Sequence, residues 1–262
     1  MINGRLRLDK PRNVKGAWSD IKFKGAHNLT GELKVVSIYR ENGQYWASLP
    51  FEVMVPAKPK TGAETAVDVN VGHLDYTAGR VNTLPSHLQK IYKRIKHYQR
   101  VLARKRKVNG RLATQSKNYA KTRAKLQRDY RRVANVQHDL MQKFTTQLVN
   151  TYDQLVIEDL AVKKMQMSHV AAKGLQRSMF GYFRQVLTYK CEWYGKILSV
   201  ADRFYPSTQR CSVCGHIKQG DDKVTLAGNH KHHTKHDEYI CYQCGATLDR
   251  DANAVANLLA LI

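Results

Sequence analysis

Acid is scarce in this chain. Asp and Glu number 21 among 262 residues, against 44 Lys and Arg, and the formal charge at pH 7 is +23. A balance so far from zero does not specify a fold, but it predicts attraction to a polyanion, most simply nucleic acid. Long apolar runs are also missing. No segment has the length and apolarity of a membrane span, and the opening residues, MINGRLRLDK, lack the apolar core of a signal peptide. No membrane partner is expected, and the cytoplasm is the default location. Cysteine is sparse, with five in all. Four of them fall in two close pairs, which argues against a disulfide framework and for a metal site in a reduced compartment. What the chain does have is apolar residues, at 42%. That is enough for a core and excludes a disordered basic tail.

Period-2 and period-3.6 patterns divide the rest. LKVVSIYRENGQYWASLPFEV (33–53) places two alternating runs around Asn42-Gly43, a hairpin signal. Val36, Ile38 and Arg40 share one side of the first run; Tyr45, Ala47 and Leu49 share one side of the second. VPAKPKTGAE follows as a linker and a domain boundary. TAVDVNV (65–71) reads as a strand with Asp68 in its middle. From 86 to 106, Leu88, Ile91, Ile95, Tyr98 and Leu102 recur at helical spacing, with Ser86 as the expected N-cap. After a break near Asn109-Gly110, a longer helix begins around Ser116, with Val133, Val136, Leu140, Phe144, Leu148, Tyr152 and Leu155 on one face. Between Ser86 and Arg132, Asp129 is the one acid. A helical hairpin of a single sign is expected to face nucleic acid, since a merely solvated face usually mixes signs. DQLVIEDLAV (153–162) reads as a buried strand carrying Glu158, 174–194 as a helix, and KILSVADRFYP (196–206) as a strand. A short apolar helix closes the chain. The class is mixed α/β.

Two constellations carry chemistry. Cys211-x-x-Cys214 and Cys241-x-x-Cys244 each have Gly next, in CSVCG and CYQCG. Two such knuckles bring four thiolates into the tetrahedral array of a structural Zn²⁺. The segment between them is longer than in the usual zinc ribbon. Its His230, His232, His233 and His236 are read as part of a hydrophilic loop, because four thiolates already close the shell. Cys191 stands apart and is read as a small buried hydrophobe.

The second constellation is a set of acids at element ends: Asp68, Glu158, Asp249 and Asp251. Singly, each has a plain reading: Asp68 as a turn residue, Glu158 as a lysine partner, Asp249 or Asp251 as the N-cap of the last helix. Together, three carboxylates converging from two strands and a helix could hold a pair of Mg²⁺ ions.

The segments AVDVNVG, LVIEDLAVKKM, YKCEWYGKIL, PSTQRCSVCG and CGATLDRDANAVANL occur in an order that resembles the TnpB (OrfB) proteins of bacterial insertion sequences, relatives of the type V CRISPR effectors. The resemblance covers roughly Val35 to the C-terminus. It implies an RNase H-like (RuvC) domain over 65–262, with a basic helical insertion at 86–150 and a zinc ribbon insertion at 207–247. A partial wedge-type β-barrel over 1–64 would precede it. It further implies Asp68, Glu158 and Asp251 as the catalytic Mg²⁺ ligands, with Asn253 beside the last and Asp249 left to the turn. Asn70 stands where many members have Gly. Those members are longer at the front, and the chain is expected to begin inside the wedge.

The function implied is that of a transposon-encoded, Mg²⁺-dependent, RNA-guided DNA endonuclease with DNA and a guide RNA as partners. Cleavage is expected from the acids. The alternative expectation, from the shortened front, is a DNA- or RNA-binding remnant that does not cut. A strand-joining transposase is a third, since an acid triad alone does not separate cutting from joining.

Overall fold

Strands set by alternation and helices set by 3.6-residue periodicity account for most of the architecture. The computed structural model describes residues 5–9, 13, 15–16, 18–25, 30–41, 43–160, 177–225, 227–229 and 231–262. Two compact units result, Met1–Val55 and Pro56–Ile262.

In the first unit the strands are β1 (Arg5–Asp9), β2 (Trp18–Lys22), β3 (Glu32–Leu33), β4 (Ser37–Glu41), β5 (Gln44–Ser48) and β6 (Phe51–Glu52). They form three two-stranded antiparallel ladders, β1–β2, β3–β6 and β4–β5. Glu41 pairs with Gln44, as the predicted hairpin requires, and Gly43 takes a positive φ of 82°; Asn42 lies outside the described residues. Both strands of that hairpin are exposed along their length. Among the described residues these ladders remain separate, and no barrel closes.

The second unit is built on one sheet. Its strands are β7 (Glu64–Asn70), β8 (His73–Tyr76), β9 (Gly79–Asn82), β10 (Gln154–Glu158) and β11 (Ile197–Ala201). The order is β11-β10-β7-β8-β9. β7, β10 and β11 run parallel, while β8 and β9 return antiparallel. The linker predicted before β7 is tied to this unit. The Lys58 N–H donates to the Tyr194 carbonyl at 3.0 Å, and the Asp153 carboxylate accepts from the Thr61 and Gly62 N–H groups at 2.7 and 2.6 Å.

The helices are α1 (Ser86–Asn109), α2 (Lys117–Thr151), α3 (Phe180–Tyr194) and α4 (Arg250–Leu259). Side chains alternate across a strand, so each strand feeds two layers. Val67, Leu74, Leu155 and Ile157 pack with Met141, Phe144 and Leu148 of α2 and with Phe183, Leu187 and Cys191 of α3. Ala66, Val156 and Ala201 face the other way, onto Val255 and Leu258 of α4. Cys191 is buried as expected, and burial pushes its thiol up to about 12. α1 and α2 form the predicted hairpin. Leu88, Ile91 and Ile95 meet Val133 at one end, and Leu102 meets Tyr119 at the other. Asp129, the one acid between Ser86 and Arg132, is buried against the Arg94 guanidinium through two 2.9 Å bonds.

Several expectations need correction. Pro85, not Ser86, occupies the N-cap position of α1, and no side chain caps it. Proline's fixed φ and missing N–H suit a helix entrance without a capping hydroxyl. α2 ends at Thr151, so Tyr152 and Leu155 serve the sheet core and not its helical face. β11 stops at Ala201, well short of Pro206. The β8–β9 hairpin was not expected at all. Residues 174–176, placed in a helix, and 161–162, placed in a strand, lie outside the described residues.

Candidate active site and zinc cluster

Alternation places the acids. Ala66 and Val156 point toward α4, so Asp68 and Glu158, two residues further along their strands, point the same way. The β7–β10 register pairs Val67 with Ile157, which makes Asp68 and Glu158 neighbours across one parallel ladder. α4 begins directly over this face with Asp251 in its first turn. Asp68 is thus close enough to Glu158 and to Asp251 for its charge to interact with each, while the acid that shares a ligand cluster with Asp251 is Asp75. Burial first, and then the Glu158 and Asp251 charges, push Asp68 up to about 7, against a hydrogen bond from Asn70. Burial also raises Glu158, and its bond from the Ser207 hydroxyl opposes the rise.

Asp251 is held differently. Burial disfavours its charge, but His73 and Arg250 bring it down to about 2. Arg250 covers Oδ1 at 3.0 and 3.2 Å. His73 Nε2 at 3.2 Å and Arg80 Nη2 at 2.9 Å cover Oδ2. The same His73 and Arg80 also reach Asp75, at 3.2 and 2.6 Å. Hydrogen bonds to the Asp251 and Asp75 carboxylates raise His73 to about 9. Asp75 lies opposite Asp68 in the β7–β8 ladder, and Asn70 Nδ2 joins them, at 2.7 Å to Asp68 and 3.2 Å to Asp75. Asn70 therefore bridges two carboxylates.

Sequence reasoning missed His73, Asp75 and Arg80. The signal was present in HLDY, where Leu74 enters the helix-side core and the residues flanking it alternate to the acidic face. It was hidden by the shortness of β8. Ligand atoms of His73, Asp75 and Asp251 lie within 4.8 Å of one another. The donors around this face include the hard carboxylate oxygens of Asp68, Asp75, Glu158 and Asp251, the kind of atom a hard divalent cation takes.

The two aspartates at the start of α4 divide their roles. Asp249 is the N-cap, its Oδ1 accepting the Ala252 N–H at 2.8 Å, while Asp251 stands over the sheet.

The cysteine pairs converge. Cys211 and Cys244 sulfurs lie 3.8 Å apart, and those of Cys214 and Cys241 3.6 Å apart. Four sulfurs bound at about 2.3 Å to one tetrahedral zinc would lie about 3.8 Å from one another. The two knuckles repeat one backbone pattern. Gly215 N–H donates to the Cys211 carbonyl and Gly245 N–H to the Cys241 carbonyl, each at 2.9 Å. Both glycines sit at positive φ, 78° and 74°, which a side chain would strain. A ribbon of β12 (Glu238–Ile240) and β13 (Thr247–Asp249) carries the second knuckle and runs into α4. The donor set fits zinc. Of the loop histidines, His232 stacks on Tyr242 and meets Asp222 at 2.8 Å, His233 and His236 stand outside the cluster, and His230 lies outside the described residues.

Comparison with known proteins gives two family matches. Residues 48–169 match OrfB_IS605, described as "Probable transposase", and residues 180–258 match "Cas12f1-like, TNB domain". A candidate RNA-guided DNA endonuclease of Streptomyces pristinaespiralis is 32% identical over 98% of this chain and 59% of its own length. The chain resembles the TnpB (OrfB) proteins. The TnpB-like protein L79 of Acanthamoeba polyphaga mimivirus is 32% identical over 64% of this chain and 30% of its own. InsQ of Escherichia coli (strain K12), also named as a candidate RNA-guided DNA endonuclease, is 29% identical over 92% of this chain. The chain spans 59% of the length of both full-span relatives. One solved structure, the cryo-EM Cas12f1–sgRNA–target DNA complex, matches 86% of this chain and 55% of its own at 14% identity and a TM-score of 0.47.

Proposed function

We propose that the chain is the nuclease portion of a TnpB-type, transposon-encoded RNA-guided DNA endonuclease. What supports this reading is that Asp68 and Glu158 stand side by side on the α4 face of a sheet ordered β11-β10-β7-β8-β9, with Asp68 in electrostatic range of Asp251 at the start of α4. That order, with one antiparallel hairpin extending a parallel trio, is the one expected of an RNase H-like (RuvC) domain. On this reading residues 65–262 form the nuclease domain, 86–150 its basic insertion and 207–247 its zinc ribbon, with 1–64 part of a wedge domain.

Asp68, Glu158 and Asp251 are the proposed ligands of Mg²⁺, which when bound supplies an activated water and stabilises the departing oxygen of a phosphodiester. The chain's own groups do the rest. Asn70 orients Asp68, the Ser207 hydroxyl orients Glu158, and Arg80, His73 and Arg250 fix Asp251. Cys211, Cys214, Cys241 and Cys244 hold a structural Zn²⁺. The exposed basic face of α1 and α2 binds nucleic acid through phosphates, which suits a guide RNA paired with DNA. The names carried by the relatives of Streptomyces pristinaespiralis and Escherichia coli support the RNA-guided assignment.

The test is reconstitution with RNA from the transposon end and a plasmid library bearing matched targets. Mg²⁺-dependent cleavage by the wild type, abolished in Asp68→Ala and Glu158→Ala, supports the reading. Retention of the plasmid without cleavage contradicts it for this chain and favours a binding role.

A further inference from the structure

The zinc cluster has a buried cation beside it. Lys218 follows the first knuckle and is 1% exposed. Its Nζ has no hydrogen-bond partner, and no carboxylate lies within ion-pair distance among the described residues. The ammonium sits over two aromatic rings, 4.2 Å from the centroid of Tyr239 and 4.1 Å from that of Tyr242. The backbone fixes it there. The Lys218 N–H donates to the Gln209 carbonyl at 3.1 Å, and the Tyr239 hydroxyl donates to the same carbonyl at 3.1 Å. Tyr239 shares its buried cluster with Cys211 and Cys241. Tyr242 is braced in turn by His232, stacked at 3.7 Å.

An ammonium removed from water without an acceptor or counter-ion costs more than cation–π contacts return. Burial pulls its pKa down, so it stays charged only with negative charge close by. Four thiolates around one Zn²⁺ leave a net charge of −2. Lys218 is in electrostatic range of Cys241, the Asp222 carboxylate and Cys211, two of the three being members of the cluster. We propose that Lys218 is the built-in counter-charge of the zinc–thiolate centre, held in a cage of Tyr239 and Tyr242, and that its charge strengthens retention of the metal. This rests on the assignment of zinc to the four cysteines.

The test is competition for zinc by a chromophoric chelator on the zinc-loaded full chain. Lys218→Met keeps the length and apolar stem of the side chain and removes the charge. It should surrender zinc at a chelator concentration at least tenfold below that for the wild type. The same substitution is then made in Cys244→His, whose centre carries one negative charge fewer; there the loss should shrink to about threefold. Equal retention by wild type and Lys218→Met overturns the proposal, as does an identical loss in both backgrounds, which marks a packing role. Should Lys218→Met not fold, Lys218→Gln is measured in the same two backgrounds with the same criteria. A wild type that holds no zinc defeats the zinc assignment itself, a separate result.

Discussion

Asn253 grips the backbone on both sides of Cys211. Its Oδ1 accepts the Ser212 N–H at 2.9 Å, and its Nδ2 donates to the Arg210 carbonyl at 2.7 Å. One turn on, Asn257 Nδ2 donates to the Ser207 and Arg210 carbonyls at 2.8 and 2.7 Å. Ser207 in turn donates to Glu158. The entry to the zinc cluster is therefore stapled to the helix bearing Asp251 and touches a second acid directly. The cysteines are not catalytic on this account, yet they help fix where two of the three carboxylates stand.

Asn253→Ala removes both bonds of this staple, leaving the Ser212 N–H without its partner and the Arg210 carbonyl held by Asn257 alone. Unfolding by denaturant should show a loss of about 1–3 kcal/mol. Asn253→Asp should not restore it, because a carboxylate cannot donate to the Arg210 carbonyl. Wild-type stability in either variant contradicts the staple.

Arg80 separates two buried carboxylates, with Nε 2.6 Å from Asp75 and Nη2 2.9 Å from Asp251. Arg80→Gln should lower stability by roughly 1–3 kcal/mol. Arg80→Lys should recover only part of it, since a point charge cannot bond both partners in the fork geometry. In Asp75→Asn the Arg80→Gln loss should be smaller, and denaturant titration of the four proteins measures that coupling.

How much of this was readable beforehand follows from the length of each signal. The cysteine cluster was legible because two CxxCG repeats fix both the thiol spacing and the turn. α1 and α2 were legible because each carries several turns of apolar periodicity. Asp68 and Glu158 could be paired only through strand ends and family resemblance, and the register of β7 against β10 supplies their adjacency. β8 and β9 have four residues each, too few for alternation to stand out, so His73, Asp75 and Arg80 went unseen. Lys218 looks like any surface lysine in one dimension. Only the folding of Tyr239 and Tyr242 around it makes it a buried cation.

Asp153 supplies a pH test away from the acids. The Lys196 ammonium at 2.5 Å, with the Gly62 and Thr61 N–H groups, holds its carboxyl down to about 2, from an ordinary 3.8. A depressed carboxyl stabilises the fold above its unfolded value and loses that contribution as pH falls through the folded one. The stability gap between wild type and Asp153→Asn should stay constant above about pH 5 and narrow between 3.8 and about 2. A gap that widens on acidification contradicts the sign.

Lys93, Lys96, Arg100 and Arg104 recur at helical spacing and are exposed along α1. If that stripe lies on a nucleic-acid backbone, each contact contributes about 0.9 to the slope of log affinity against log salt. Replacing Lys96, Arg100 and Arg104 together with Gln should flatten the slope by roughly 2–3. A fluorescence-anisotropy titration of duplex across salt concentrations measures this. An unchanged slope removes α1 from the interface.

The central claim is that Asp68, Glu158 and Asp251 form one divalent-cation site, and Mn²⁺ binding to the zinc-loaded protein tests it most directly. Calorimetric or EPR titration should show binding in the wild type, weakened at least tenfold in each of Asp68→Asn, Glu158→Gln and Asp251→Asn. Equal Mn²⁺ affinity in all four proteins would contradict it.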